Sequence, residues 1–412
     1  MYRINAEVVY VCERVYENPR SVARLERMLG AIKPKIIKKV DDEQLNALIE
    51  REDWHQSTHN GRTGSFLDEK SQRILIFNNY IWNSKEREEI LKKHPKLGIL
   101  GWNPFSYRIQ FPNEFCVCQA AWEMHSLNGC LHTCAYCHIN EFIHVTLNLE
   151  ELVEHLEIKM EECPGQQLYK YDNQSDQITF EPEYGASELL VNFFANLKLE
   201  PRKYLLLYTK SDNVEHLLNL NHNGRTIINW SISPATQSRY IEKNTPSIEK
   251  RLIAMKKCQE AGYIVRVRFS PIIPVKDWKA EYKKMIQDLF KFAKPDVITL
   301  DILGFMSPRG MLNSLELELF DDDAREQIRK QLNIKKRWQK HVFPHEYRTS
   351  IYRYIYKEIR AINKNVPISI CNETFEMWEE LEDEWFPKME VEDYVCCCGP
   401  TSVPGNPRFP SA

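Results

Sequence analysis

Residues 129–140 read GCLHTCAYCHIN, which sets Cys130, Cys134 and Cys137 at C-x₃-C-x₂-C spacing. Three thiolates so placed can wrap one corner of an iron–sulfur cubane and leave its fourth iron without a protein ligand, open to a cofactor or substrate. Zinc is the competing reading, because it takes four Cys or His ligands. His132 or His138 would have to supply the fourth, and neither pairs with a second C-x₂-C at a finger-like distance.

Outward from this loop the chain alternates between two kinds of segment. Short apolar, β-branched runs are FCVCQAAWEM (115–124), DQITFEP (176–182), KYLLLYT (203–209), RTIINWSIS (225–233), YIVRVRFSPII (263–273), DVITLDIL (296–303) and VPISIC (366–371). Helical stretches lie between them, among them SELLVNFFANLKL (187–199) and PSIEKRLIAMKKCQEAG (246–262), the latter with Ser247 as a start signal and Gly262 as a stop. Six or seven strand–helix repeats predict a parallel sheet closed or partly closed into a barrel, with its chemistry at the C-terminal strand ends. Residues 1–110 read as a separate α/β extension with one strand, AEVVYVC, and a polar loop, NGRTGSF (60–66). The core is expected over 111–305, a helical insert with a last strand and helix over 306–395, and a flexible cysteine-rich tail over 396–412.

Composition agrees with a globular chain: 412 residues, 43% hydrophobic and 27% charged, with a formal net charge of −3 that gives no global case for nucleic-acid binding. No signal-peptide pattern opens the chain and no run of roughly 18 apolar residues occurs, so a cytoplasmic protein without a membrane span is expected. Twelve cysteines are many for a reducing compartment, and their clustering points to metal or redox work.

The triplet, with Tyr136 before its last cysteine, resembles the signature of the radical S-adenosylmethionine superfamily. Residues 207–233, 241–263 and 267–282 resemble, in order and spacing, the spore photoproduct lyase family. That resemblance implies a partial (β/α)₆ barrel, a [4Fe–4S] cluster on Cys130, Cys134 and Cys137, and cleavage of S-adenosylmethionine to a radical that attacks a substrate. It also implies a reductant such as flavodoxin or ferredoxin. By position, Ser187, Lys210 and Ser231 or Ser233 would contact S-adenosylmethionine. Arg268, in an apolar strand, needs an anionic partner: a ligand or an internal Asp or Glu.

Two departures stand out against the family pattern. Gly185 occupies the place of the cysteine that donates hydrogen in lesion repair, and His138 the place of a second relay tyrosine beside Tyr136. Cys396, Cys397 and Cys398 offer three readings: a replacement hydrogen donor, a second cluster with Cys371, or capture of a thiophilic ion. The last suits 3-amino-3-carboxypropyl transfer to trivalent arsenic. A non-catalytic zinc or cluster protein is the reading from another class. Cys116 and Cys118 share one side of a strand and read as core residues. In residues 329–360, Lys330, Lys335, Lys336, Arg337 and Lys340 interleave with Trp338, Tyr347, Tyr352, Tyr354 and Tyr356. That composition suits DNA, but an amphipathic helix with buried aromatics explains it better, and a small molecule or DNA both stand as substrate.

Overall fold

The computed structural model describes residues 1–52, 54, 72–108, 121–137, 139, 142–304, 308–332, 341–385 and 394–409. The strands, in chain order, are β1 (Val8–Cys12), β2 (Ile36–Val40), β3 (Leu75–Asn78), β4 (Phe105–Arg108), β5 (Ala121–Met124), β6 (Leu127–Asn128), β7 (Thr133–Cys134) and β8 (Ile143–Thr146). They continue with β9 (Leu168–Tyr171), β10 (Tyr204–Thr209), β11 (Thr226–Ile232), β12 (Glu242–Lys243), β13 (Ile264–Ile272), β14 (Ile298–Ile302) and β15 (Ile368–Ile370).

The larger sheet runs β15-β14-β13-β11-β10-β9-β5-β4. Its seven strands from β5 to β15 pair in parallel, and only the edge strand β4 is antiparallel. Strands β9, β10 and β11 are buried at every position, as strands covered on both faces must be. One face carries Tyr169, Leu205, Leu207, Ile228, Trp230, Val265, Val267 and Phe269 into the main core, against Leu190, Phe194, Leu252, Met255 and Leu289 of the covering helices. The other, inner face carries the intervening residues, and these include Lys170, Tyr208, Asn229, Arg266 and Arg268. The expected helices appear as Ala186–Asn196 and Ile248–Glu260. Ser247 caps the second, accepting the Lys250 amide hydrogen at 3.4 Å, and Gly262 follows at φ +91°, a conformation only glycine adopts freely.

Three expectations are corrected. DQITFEP is not a strand: Gln177–Phe180 form a 3₁₀ turn, held by the Thr179 hydroxyl donating to the Asp176 carbonyl at 2.6 Å. The strand before it is β9, whose sequence LYKY hides a buried lysine that Glu123 neutralises at 2.7 Å. Residues 1–110 are not a separate unit, because the second sheet runs β2-β1-β3-β8-β6 and takes β6 and β8 from either side of the cysteine loop. A single hydrophobic core joins residues of both sheets.

The tail is the third correction. Residues 394–409 contain no helix or strand, yet the stretch 394–403 is packed, with Tyr394, Val395, Cys396, Cys397, Ser402 and Val403 buried. Arg266 explains this: its guanidinium bonds Asp296 at 2.6 and 2.9 Å and donates to the carbonyls of Cys397 (3.1 Å) and Ser402 (3.0 Å). The insert supplies helices Pro308–Ser314, Asp322–Leu332 and His345–Ile362. In the last of these Tyr352 is buried on Glu373, while Tyr356 stacks on Trp385 at 4.5 Å, so these aromatics serve packing. Lys335, Lys336, Arg337, Trp338 and Lys340 lie outside the described residues, as do Cys116, Cys118, His138 and residues 60–66.

Candidate active site

The cysteine loop leaves β5 at the C-terminal edge of the larger sheet and is zipped to the segment after β11. Strands β7 and β12 pair antiparallel with Cys134 opposite Glu242, and the Ala135 amide donates to the Ile241 carbonyl at 2.8 Å. A tight turn follows, in which the Cys137 amide donates to the Cys134 carbonyl at 2.9 Å. All three cysteines are free thiols. Burial pushes the Cys130 thiol up to about 12, with Asp176 and Cys137 adding to the effect. Burial likewise raises Cys134; Glu242 reinforces it, Lys210 opposes it, and Cys137 and Cys130 both act on it. The three thiols are therefore electrostatic neighbours. Among the described residues no three His, Cys, Asp or Glu side chains already surround a common ion position.

Glu242 is the hub beneath this loop, and sequence reasoning missed it. It accepts from the Tyr136 phenol at 2.8 Å and the Ser233 hydroxyl at 2.7 Å, and pairs with Arg251 at 2.8 Å and Lys210 at 3.8 Å. Burial alone would raise its pKa, but Lys210, Arg251 and the two hydroxyls outweigh that and hold it at about 2. A second missed residue, Asp176, accepts the Lys210 amide at 2.6 Å, the Thr209 hydroxyl at 2.8 Å and His132 at 3.0 Å. The other ring nitrogen of His132 meets the Asn244 carbonyl at 2.7 Å. With both nitrogens engaged by protein groups, His132 is a brace for the loop.

Of the residues expected at the cofactor, Lys210 and Ser233 meet beside the cysteine loop through Glu242, and the Lys210 ammonium also donates to the Ser270 carbonyl at 3.3 Å. Ser231 lies on the inner face, directly opposite Arg268 in the β11–β13 register. Ser187 is buried in the first turn of helix Ala186–Asn196, where Glu181 accepts its amide at 2.7 Å and that of Gly185 at 2.8 Å. Arg268 finds an internal partner, Asp301, at 2.9 Å, and approaches Cys371 Sγ at 3.5 Å. Cys397 lies on the same inner face, where its Sγ accepts from the Tyr208 phenol at 3.0 Å. Among the described residues the buried Asn229 has no partner for either amide atom, and Arg268 Nε has none.

The family model for spore photoproduct lyase matches residues 115–369, and the chain belongs to that family. It is 25% identical over 185 residues to the spore photoproduct lyase of Bacillus subtilis (42% of this chain, 53% of that one). Against the enzyme of Clostridium acetobutylicum it is 22% identical over 184 residues, with the same coverage. The match thus spans about half the length of these curated relatives. Its fold resembles a spore photoproduct lyase complexed with dinucleoside spore photoproduct (TM-score 0.62, 17% identity, 89% of this chain and 98% of that chain). It equally resembles a mutant lyase with bound AdoMet and dinucleoside spore photoproduct (TM-score 0.62, 17% identity, 90% and 99%).

Proposed function

We propose that this chain is a radical S-adenosylmethionine enzyme that assembles a [4Fe–4S] cluster on Cys130, Cys134 and Cys137. When bound, the cluster would supply the electron that cleaves S-adenosylmethionine and starts radical chemistry on the substrate. The observation that carries this reading is the three-thiol loop clamped at its centre, Cys134, against Glu242 and Lys210. Three soft thiolate donors, with His132 already engaged by Asp176 and Asn244, suit a cubane with one open iron.

The chain's own residues have assignable tasks. Lys210, just after β10, would hold the carboxylate of S-adenosylmethionine, and its pairing with Glu242 supports that position. Ser231 and Arg268 face the inner side, where Asn229 and Arg268 Nε offer unused polar atoms to a polar substrate. A one-electron reductant of the flavodoxin or ferredoxin type would reduce the cluster. A dinucleoside lesion, held by the structural relatives, is the first substrate to assay. Gly185 has no side-chain hydrogen to donate, which argues that this chain does not complete that repair in the family's manner.

Anaerobic reconstitution tests the assignment. About four irons and four sulfides per chain are expected, lost on Cys130→Ala, Cys134→Ala or Cys137→Ala. Bound zinc in place of iron would overturn it.

A further inference from the structure

The tail places a thiol where a radical enzyme would use one. Cys397 is 1% exposed, and its backbone is fixed on both sides. Its amide donates to the Thr299 hydroxyl at 3.0 Å, and its carbonyl accepts from Arg266 at 3.1 Å. The Tyr208 phenol donates to its sulfur at 3.0 Å. That bond occupies a sulfur lone pair and leaves the S–H to be shared with the neighbouring Cys398 or turned to a ligand. Tyr208 is itself held between cations, with Lys170 over its ring at 4.6 Å and Arg268 at 5.6 Å.

Two further observations point to a polar ligand here. Asn229 lies opposite Tyr208 in the β10–β11 register, is fully buried, and has neither amide atom bonded among the described residues. A buried amide without partners costs stability unless something fills its hydrogen bonds. The site is also continuous with Lys210: the Lys210 ammonium meets the Ser270 carbonyl at 3.3 Å, the Ser270 hydroxyl donates to Asp301 at 2.7 Å, and Asp301 pairs with Arg268 at 2.9 Å.

We propose that the Cys397 thiol, backed by the Tyr208 phenol, is a hydrogen-atom donor to carbon radicals formed on the inner face of the sheet. This rests on the radical-initiating function proposed above. In the first step the S–H bond breaks, a C–H bond forms, and Cys397 becomes a thiyl radical. In the second, the hydrogen of Tyr208 crosses the existing O–H···S contact, restoring the thiol and leaving a tyrosyl radical. One electron from the reductant that primes the cluster, with one proton from solvent, restores the phenol. Burial keeps the thiol in its protonated form, which is the form that donates a hydrogen atom; the neighbouring Cys398 adds to this.

Thiol and phenol hydrogens exchange with solvent, whereas carbon-bound hydrogens do not. The test therefore needs no substrate: reconstituted, dithionite-reduced full-length protein is incubated with S-adenosylmethionine in D₂O, and the 5′-deoxyadenosine is weighed by mass spectrometry. Wild type should yield product carrying one deuterium. Cys397→Ala and the closer mimic Cys397→Ser should each lose most of that label per product formed. Tyr208→Phe should keep it in the first turnover and lose it in later ones. Unlabelled product from wild type, or undiminished label in both Cys397 variants, overturns the donor assignment while leaving radical initiation standing. No 5′-deoxyadenosine from wild type with its cluster loaded overturns the initiating reading, and the donor with it.

Discussion

Glu242 stands opposite Cys134 in the β7–β12 ladder and takes the Tyr136 phenol hydrogen at 2.8 Å, so one carboxylate fastens the centre of the cysteine loop by backbone and side chain together. Replacing it by glutamine keeps the shape but leaves Arg251 and Lys210 facing a neutral group. Removing one member of a buried ion pair costs about 3–5 kcal/mol. Urea unfolding of Glu242→Gln should show a loss of that order, and the reconstituted variant should retain less iron than wild type.

Lys210 should matter for S-adenosylmethionine and not for the metal. Lys210→Met is expected to keep a full complement of iron while weakening S-adenosylmethionine binding by roughly 10–100-fold, the worth of a hydrogen bond to a charged group. Equilibrium binding to the reconstituted protein measures this directly. Unchanged affinity would remove Lys210 from the site.

The tail should come loose when Arg266 is removed. Cys396 and Cys397 are buried and should resist a maleimide in the native protein. Arg266→Met frees the carbonyls of Cys397 and Ser402 and the Asp296 carboxylate, and native-state labelling of both cysteines should rise to near completion. Peptide mapping after alkylation reads the result.

Acid should weaken the second sheet through His144. Burial lowers the pKa of this β8 histidine to about 4, although its Nδ1 contact with the Leu100 carbonyl at 2.9 Å opposes the shift. The folded protein therefore holds it neutral. Its contribution is complete above pH 6.5, the ordinary histidine value, and is lost as pH falls toward 4. The difference amounts to about 3 kcal/mol at the acid end. Unfolding free energies between pH 7 and pH 4 should fall less steeply for His144→Asn.

What could be read from the chain depended on how local each feature is. The triplet was legible because its three cysteines lie within eight residues of one another. Strands β10, β11, β13, β14 and β15 were legible because each is written as a short, largely apolar run between helical stretches. Glu242 was not, since Tyr136 is brought to it by β-pairing with a distant segment and Arg251 by the fold-back of the helix that follows. Strand β9 was masked by Lys170, which reads as a surface residue until Glu123 is placed beside it. The tail looked unstructured because Pro and Gly crowd it, and nothing near it in sequence announces that Arg266 holds its carbonyls.

Product analysis of the reconstituted, dithionite-reduced protein incubated with S-adenosylmethionine tests the central claim most directly. The expected result is 5′-deoxyadenosine and methionine, abolished by Cys134→Ala. Methylthioadenosine in their place would mean that a different carbon–sulfur bond breaks, and intact S-adenosylmethionine over a loaded cluster would contradict the assignment outright.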